Sequence, residues 1–173
     1  MREINAAGLT LVRKWEGILD GDPSTVNLDP YLDPVGIWTI GWGHALIDPL
    51  TRKFLRGAAT RSRARALYPD GITVEQAVNL LRTDLLDSAR DVSVLVKVPL
   101  SDNQFSSLVS FEFNTGGLSF PSSTMRRLLN AKDYVGASAQ FARWNKGRVK
   151  GQLVVLPGLV SRREEERQLF MKA

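Results

Sequence analysis

Three polar side chains near the N-terminus have types suited to acid–base chemistry: Glu16, Asp33 and Thr39. Glu16 follows Val12 by one helical turn, at the edge of an apolar stripe made by Ile4, Gly8, Leu11, Val12 and Trp15. That spacing predicts a carboxyl group set against the core rather than in open water. Burial there would disfavour the ionised form, and a carboxylic acid that keeps its proton near neutral pH is what a general acid needs. A surface carboxylate, or one member of an ion pair at a helix end, fits the same position. Asp33 opens the run Asp33-Pro34-Val35-Gly36, where its carboxylate can accept the backbone amides of a turn or act as a base. Thr39 lies on the strand expected next. Its hydroxyl could hold a water, although β propensity alone accounts for a strand threonine.

The remaining candidates narrow the chemistry. His44 is the single histidine and no Gly-x-Ser-x-Gly elbow accompanies it, so a hydrogen-bonded structural role is expected rather than a nucleophile triad. With no cysteine in the chain, thiolate nucleophiles, disulfides and cysteine-based metal sites are excluded, and neither a metal nor another cofactor is expected. Gly41-Trp42-Gly43 lacks the spacing of a phosphate loop; its glycines suit the close approach of another surface. Of the four tryptophans, Trp42 is the candidate for stacking on a sugar ring, the others reading as core.

The elements that must position these residues can be read in order. A first helix over 3–16 ends before Gly17, a residue type that tolerates the left-handed terminus. Short β-type runs punctuated by Pro and Gly span 28–46, with a turn at 33–36. Thr73 with Gln76 gives a capping box that opens a long helix to about Val96. Further helices are expected from Ser101 to Phe113, from Ser122-Ser123-Thr124 toward Asn130, from Asp133 to Trp144, and from Pro157 to Met171. The plan is α+β over 1–173 as a single domain: a small β lobe at about 17–50, and a helical lobe from 1–16 and 70–173, with a cleft between them.

The 173 residues carry a net charge of +5, and 43% are hydrophobic. The excess has one address: Arg52, Lys53, Arg56, Arg61, Arg63 and Arg65 fall within 49–69 with no acid among them, leaving 17 bases against 18 acids elsewhere. An anionic partner is implied, whether cell envelope or nucleic acid, unless the segment is simply a solvated surface. No apolar run approaches the length of a membrane span, and the N-terminus lacks the apolar core of a signal peptide.

The run from Tyr31 to His44, with Asp33, Thr39 and Gly41-Trp42-Gly43, resembles the β-hairpin signature of the phage-type lysozymes, the endolysins of lambdoid and T-even phages. Lys14-Trp15-Glu16-Gly17 is similar to the end of their first helix. Blocks resembling the family follow in order at 98–105, 111–116, 144–145 and 158–166, so the likeness spans nearly the whole chain. It implies a lysozyme-like fold and a glycoside hydrolase that cuts β-1,4 links between N-acetylmuramic acid and N-acetylglucosamine in peptidoglycan. It further implies Glu16 as general acid, Asp33 as the opposing carboxylate, Thr39 as the water-positioning hydroxyl, and Phe113 and Thr124 as groove residues. One departure stands out. Sixteen residues separate Glu16 from Asp33, a longer tether than the family pattern, so 18–30 contains an apparent insertion in which Asp20, Asp22 and Asp29 compete for the second role.

Arg162 and Arg163 either pair with Glu16 or only balance Glu164 to Glu166 along a solvated helix. Competing functions are a lytic transglycosylase of similar fold, which needs one Glu, and a nucleic-acid-binding module built on 49–69; a catalytically dead wall-binding protein is a third. The leading reading has peptidoglycan and no nucleic acid as partner. It expects a monomer held in the host cytoplasm until a holin-like protein opens the membrane.

Overall fold

A computed structural model describes residues 2–117 and 119–172. The chain divides into two compact units, Met1–Trp15 with Leu85–Ala173, and Glu16–Asp84.

The first unit is helical. α1 (Ala6–Glu16) is capped by Asn5, whose side-chain oxygen accepts the Gly8 amide at 2.9 Å. Gly8 sits where a Cβ would come within 2.5 Å of the Ser106 Cβ, so only glycine permits this approach to α4 (Asp102–Thr115). α4 starts at the expected box: Ser101 accepts the Gln104 amide and Gln104 accepts the Ser101 amide. Its residues Phe105 to Glu112 are all buried, and its main packing partner is α7 (Pro157–Met171). Phe111 meets Phe120, Phe141 and Trp144 edge-on, with ring centroids 5.4 to 6.4 Å apart. α5 (Thr124–Asn130) is capped by Ser123 and α6 (Tyr134–Ala139) by Asp133.

Two details differ from expectation. The helix predicted over 133–144 stops at Ala139 and tightens into a 3-10 turn at Phe141–Arg143 that buries Phe141. A hairpin not foreseen, β4 (Lys146–Val149) with β5 (Gln152–Val155), follows it; Lys150 and Gly151 make its two-residue turn at φ 48° and 82°.

The second unit holds a three-stranded antiparallel sheet in the order β1 (Tyr31–Leu32), β2 (Trp38–Ile40), β3 (His44–Ala45). Tyr31 lies opposite Thr39, and Thr39 opposite Ala45. Trp38, Ile40, Leu46, Leu55, Ile72 and Leu81 supply its core. The basic segment contains a 3-10 turn at Ala58–Thr60 and α2 (Arg61–Leu67). α3 (Val74–Leu95) opens at the Thr73–Gln76 box, and its residues from Leu85 onward belong to the first unit.

Candidate active site

The turn at 33–36 forms as read, with the Gly36 amide donating to the Asp33 carbonyl at 3.0 Å and Gly36 at φ +80°. The Asp33 carboxylate accepts the amides of Val35 at 2.9 Å and Ile37 at 2.7 Å. Both bonds fall on Oδ1. Thr39, two residues into β2 from Ile37, is 3% exposed, and its hydroxyl donates to the Ile37 carbonyl at 3.0 Å. Toward any further partner that hydroxyl acts as an acceptor.

Tyr31 ties these groups together. Its phenol is half-buried, and burial raises its pKa above the ordinary value; the charge of Asp33 raises it further, the Gly43 amide opposes, and Glu16 adds to the rise. One hydroxyl therefore lies within electrostatic reach of both carboxylates, while its strand pairs residue for residue with Thr39. Tyr31 was part of the recognised motif but carried no assigned role.

Glu16 departs from expectation. It is the last residue of α1 and is exposed, not set against the core. The apolar stripe is buried at Leu11 and Val12, but the chain leaves the core at the helix terminus, where Gly17 takes φ +66° and Ile18 and Leu19 are exposed. The turn before it is held within the first unit: Lys14 pairs with Glu165 at 2.6 Å, and the Trp15 indole donates to the same carboxylate at 3.2 Å.

The rival acids are committed to the inserted loop. Asp20 Oδ1 accepts the amides of Asp22 and Asp29, the Asp29 carboxylate accepts the Thr25 hydroxyl at 2.7 Å, and Asp22 accepts Ser24. Asp29 is 9% exposed. The Ser24 bonds and Arg65 hold the Asp22 pKa below the carboxylate range. Residues 20–30 thus fold on themselves, and Leu28 bridges to Ile72 while Asn27 donates to the Asp70 carbonyl.

Trp42 is buried at 7% exposure, so it packs in the core of its unit and does not present a face to a sugar. The glycine before it does the work foreseen: a Cβ on Gly41 would lie 2.9 Å from the Ala77 Cβ of α3. His44 Nδ1 meets the Asp84 carboxylate at 2.9 and 3.1 Å, the structural role expected. Phe113, half-buried on α4, and Thr124, exposed at the start of α5, belong to the first unit.

Arg162 and Arg163 do not lie along a solvated helix. They are 3% and 1% exposed and converge on Glu166, itself fully buried; Arg162 Nε reaches Oε1 at 3.2 Å and Arg163 binds Oε2. Arg163 also donates to Asn114 and to the Trp144 carbonyl, and its guanidinium lies 5.0 Å over the Phe111 ring. The exposed balance on this helix is made instead by Glu164 and Arg167.

The chain matches the phage lysozyme family over residues 21–166, a stretch that contains Asp33 and Thr39 and begins after Glu16. It is 36% identical to an endolysin of Acyrthosiphon pisum secondary endosymbiont phage 1, over 98% of this chain and 99% of that one. It is also 36% identical to the endolysin of Salmonella phage P22, over 99% of each. Among solved structures, the muramidase domain of SpmX from Asticaccaulis excentricus superposes with a TM-score of 0.74 at 32% identity over 100% of both chains. The chain belongs to the phage lysozyme family and is a glycoside hydrolase with its lysozyme-like α+β fold.

Proposed function

We propose that the protein is a muramidase that hydrolyses the β-1,4 bonds between N-acetylmuramic acid and N-acetylglucosamine in bacterial peptidoglycan. Glu16 protonates the glycosidic oxygen, and Asp33, assisted by Thr39, activates the attacking water. What supports this reading is the Asp33 carboxylate held by the amides of Val35 and Ile37, with the buried Thr39 on the strand that follows, within the stretch that matches the family.

The step balances with these groups alone. The water oxygen bonds to the anomeric carbon as the bond to the leaving sugar breaks; the Glu16 proton goes to the leaving oxygen and a water proton to Asp33. With the turn amides on Oδ1, Oδ2 is the Asp33 oxygen for the water, and the Thr39 hydroxyl, already donating to Ile37, accepts the water's other hydrogen. Glu16 is exposed in the free chain, so on this reading the bound saccharide, not the core, shields it from solvent. Carboxyl groups roughly 6.5 to 9.5 Å apart leave space for the water and invert the anomeric centre, whereas about 5 to 5.5 Å permits a covalent intermediate. Inversion is the outcome proposed.

Phe113 and Thr124 stay as saccharide contacts on the strength of the family resemblance. The same reading keeps a monomer on the cytoplasmic side of the host membrane until a separate holin-like protein releases it; cell fractionation before and after membrane permeabilisation tests that part. The chemistry is tested by mass analysis of purified peptidoglycan after digestion. Products that have gained water support hydrolysis, and products lighter by one water, with an anhydro end, would establish a transglycosylase instead.

A further inference from the structure

The basic segment begins in a hairpin whose outer face is apolar. Ile47 and Phe54 oppose each other in an antiparallel bridge, so their side chains project on one side. The alternate residues Leu46, Asp48 and Leu55 are buried, while Ile47 is 46%, Phe54 48% and Leu50, near the tip, 90% exposed. The tip is built to hold this shape. The Asp48 amide donates to the Lys53 carbonyl at 2.8 Å, and the Asp48 carboxylate accepts the amides of Leu50 and Thr51 at 2.9 and 3.1 Å.

Cations ring the apolar residues. Ile47, Arg52, Lys53, Phe54 and Arg56 line an open hollow of about 430 Å³, with the Arg56 guanidinium 5.9 Å over the Phe54 ring. Asp48 pairs with Arg63 at 3.0 Å and Asp22 with Arg65 at 3.6 Å. Among the described residues no carboxylate pairs with Arg52, Lys53, Arg56 or Arg61. Neither catalysis nor the core of the unit uses this face.

We propose that the hairpin over residues 46–56 docks the enzyme on an anionic phospholipid bilayer. Leu50, Ile47 and Phe54 enter the boundary between headgroups and acyl chains, and Arg52, Lys53 and Arg56 hold the lipid phosphates. Charge complementarity selects an anionic partner. The apolar side chains select a bilayer among anionic partners: a dissolved polyanion would satisfy the cations yet leave Leu50, Ile47 and Phe54 in water, whereas the interface takes both. Such docking would keep the enzyme at the membrane-facing side of the wall.

The test is co-sedimentation of the full chain with vesicles of phosphatidylcholine, alone or mixed with phosphatidylglycerol. Binding is expected only to the mixed vesicles and should weaken with salt. Arg52→Gln with Lys53→Gln lowers partitioning roughly 25-fold, at about fivefold per cation, and Leu50→Ser lowers it roughly tenfold. Both are compared as proteins that retain wild-type lysis of membrane-free peptidoglycan. Because the chain has no cysteine, Leu50→Cys also accepts a polarity-sensitive dye at one place. That dye should brighten on mixed vesicles, while the same dye at Val26→Cys, on the exposed inserted loop, should not. Failure to bind mixed vesicles, unchanged binding in both variants, or a dye response to nucleic acid or dissolved wall polymer but not to vesicles would overturn the proposal.

Discussion

Asp33 and Glu112 are two carboxylates that the fold treats in opposite ways. Asp33 sits on a turn that aims two backbone amides at one of its oxygens. Glu112 is 3% exposed on α4, and burial raises its pKa; Ser88 opposes the rise, while the charges of Asp91 and Asp87 on α3 add to it. Because the folded value lies above the unfolded one, the stability tied to the protonated form is present at acid pH and is lost as pH rises through the raised value. Glu112→Gln removes that dependence. In thermal melts from pH 4 to 8 the wild type should lose ground to the variant as pH increases, and parallel curves would contradict the assignment. At this scale the sequence was informative where a motif gave local geometry, as at Asp33. It misled where solvent exposure depends on the chain beyond the motif. Glu16 has the periodicity of a stripe edge but comes where the helix leaves the core, and Trp42 is an aromatic between glycines that is buried in the turn between β2 and β3.

Elements were legible in proportion to their terminal signals. α1, α3, α4, α5 and α7 carry an Asn, Thr, Ser or Pro start, and each begins within a few residues of that signal. The β4–β5 hairpin is short, mostly exposed and without an Asn-Gly or Asp-Gly turn; its Lys150-Gly151 pair was the only local cue. α7 was placed correctly, but of the two readings of its arginines the solvated one fails, since arginines and glutamates spaced along a helix look solvated until the partner helix is known. α4 supplies the partner groups: Ser110 donates to Glu166 Oε1 at 2.9 Å, Ser107 donates to the Glu166 carbonyl, and Asn114 receives Arg163. Removing one cation from this set leaves a buried charge short of its partner, at a cost of about 3 to 5 kcal/mol. Arg163→Met should therefore lower the urea midpoint of unfolding by a corresponding amount, whereas Arg167→Met, outside the buried set, should leave it nearly unchanged. Equal midpoints for the two variants would contradict the account of α7.

Across the whole molecule, the family likeness is spread through ordered blocks, which is why fold and enzyme class are legible in the residues alone. The second carboxylate was the harder problem, because the long tether offers several acids and spacing alone does not choose among them. The structure gives the inserted acids other employment: Asp20, Asp22 and Asp29 bond within the loop, and the loop ties to residues 65–72 of its own unit. Glu16, Asp33 and Thr39 fall in one compact unit despite the insertion. The most direct test is the rate at which folded Asp33→Asn clears a suspension of purified peptidoglycan, measured beside Asp29→Asn, with Glu16→Gln and Thr39→Ala as companions. The account predicts that Asp33→Asn loses roughly 100-fold or more, as Glu16→Gln does, while Asp29→Asn keeps most of its rate. An active Asp33→Asn beside an inactive, folded Asp29→Asn would contradict it.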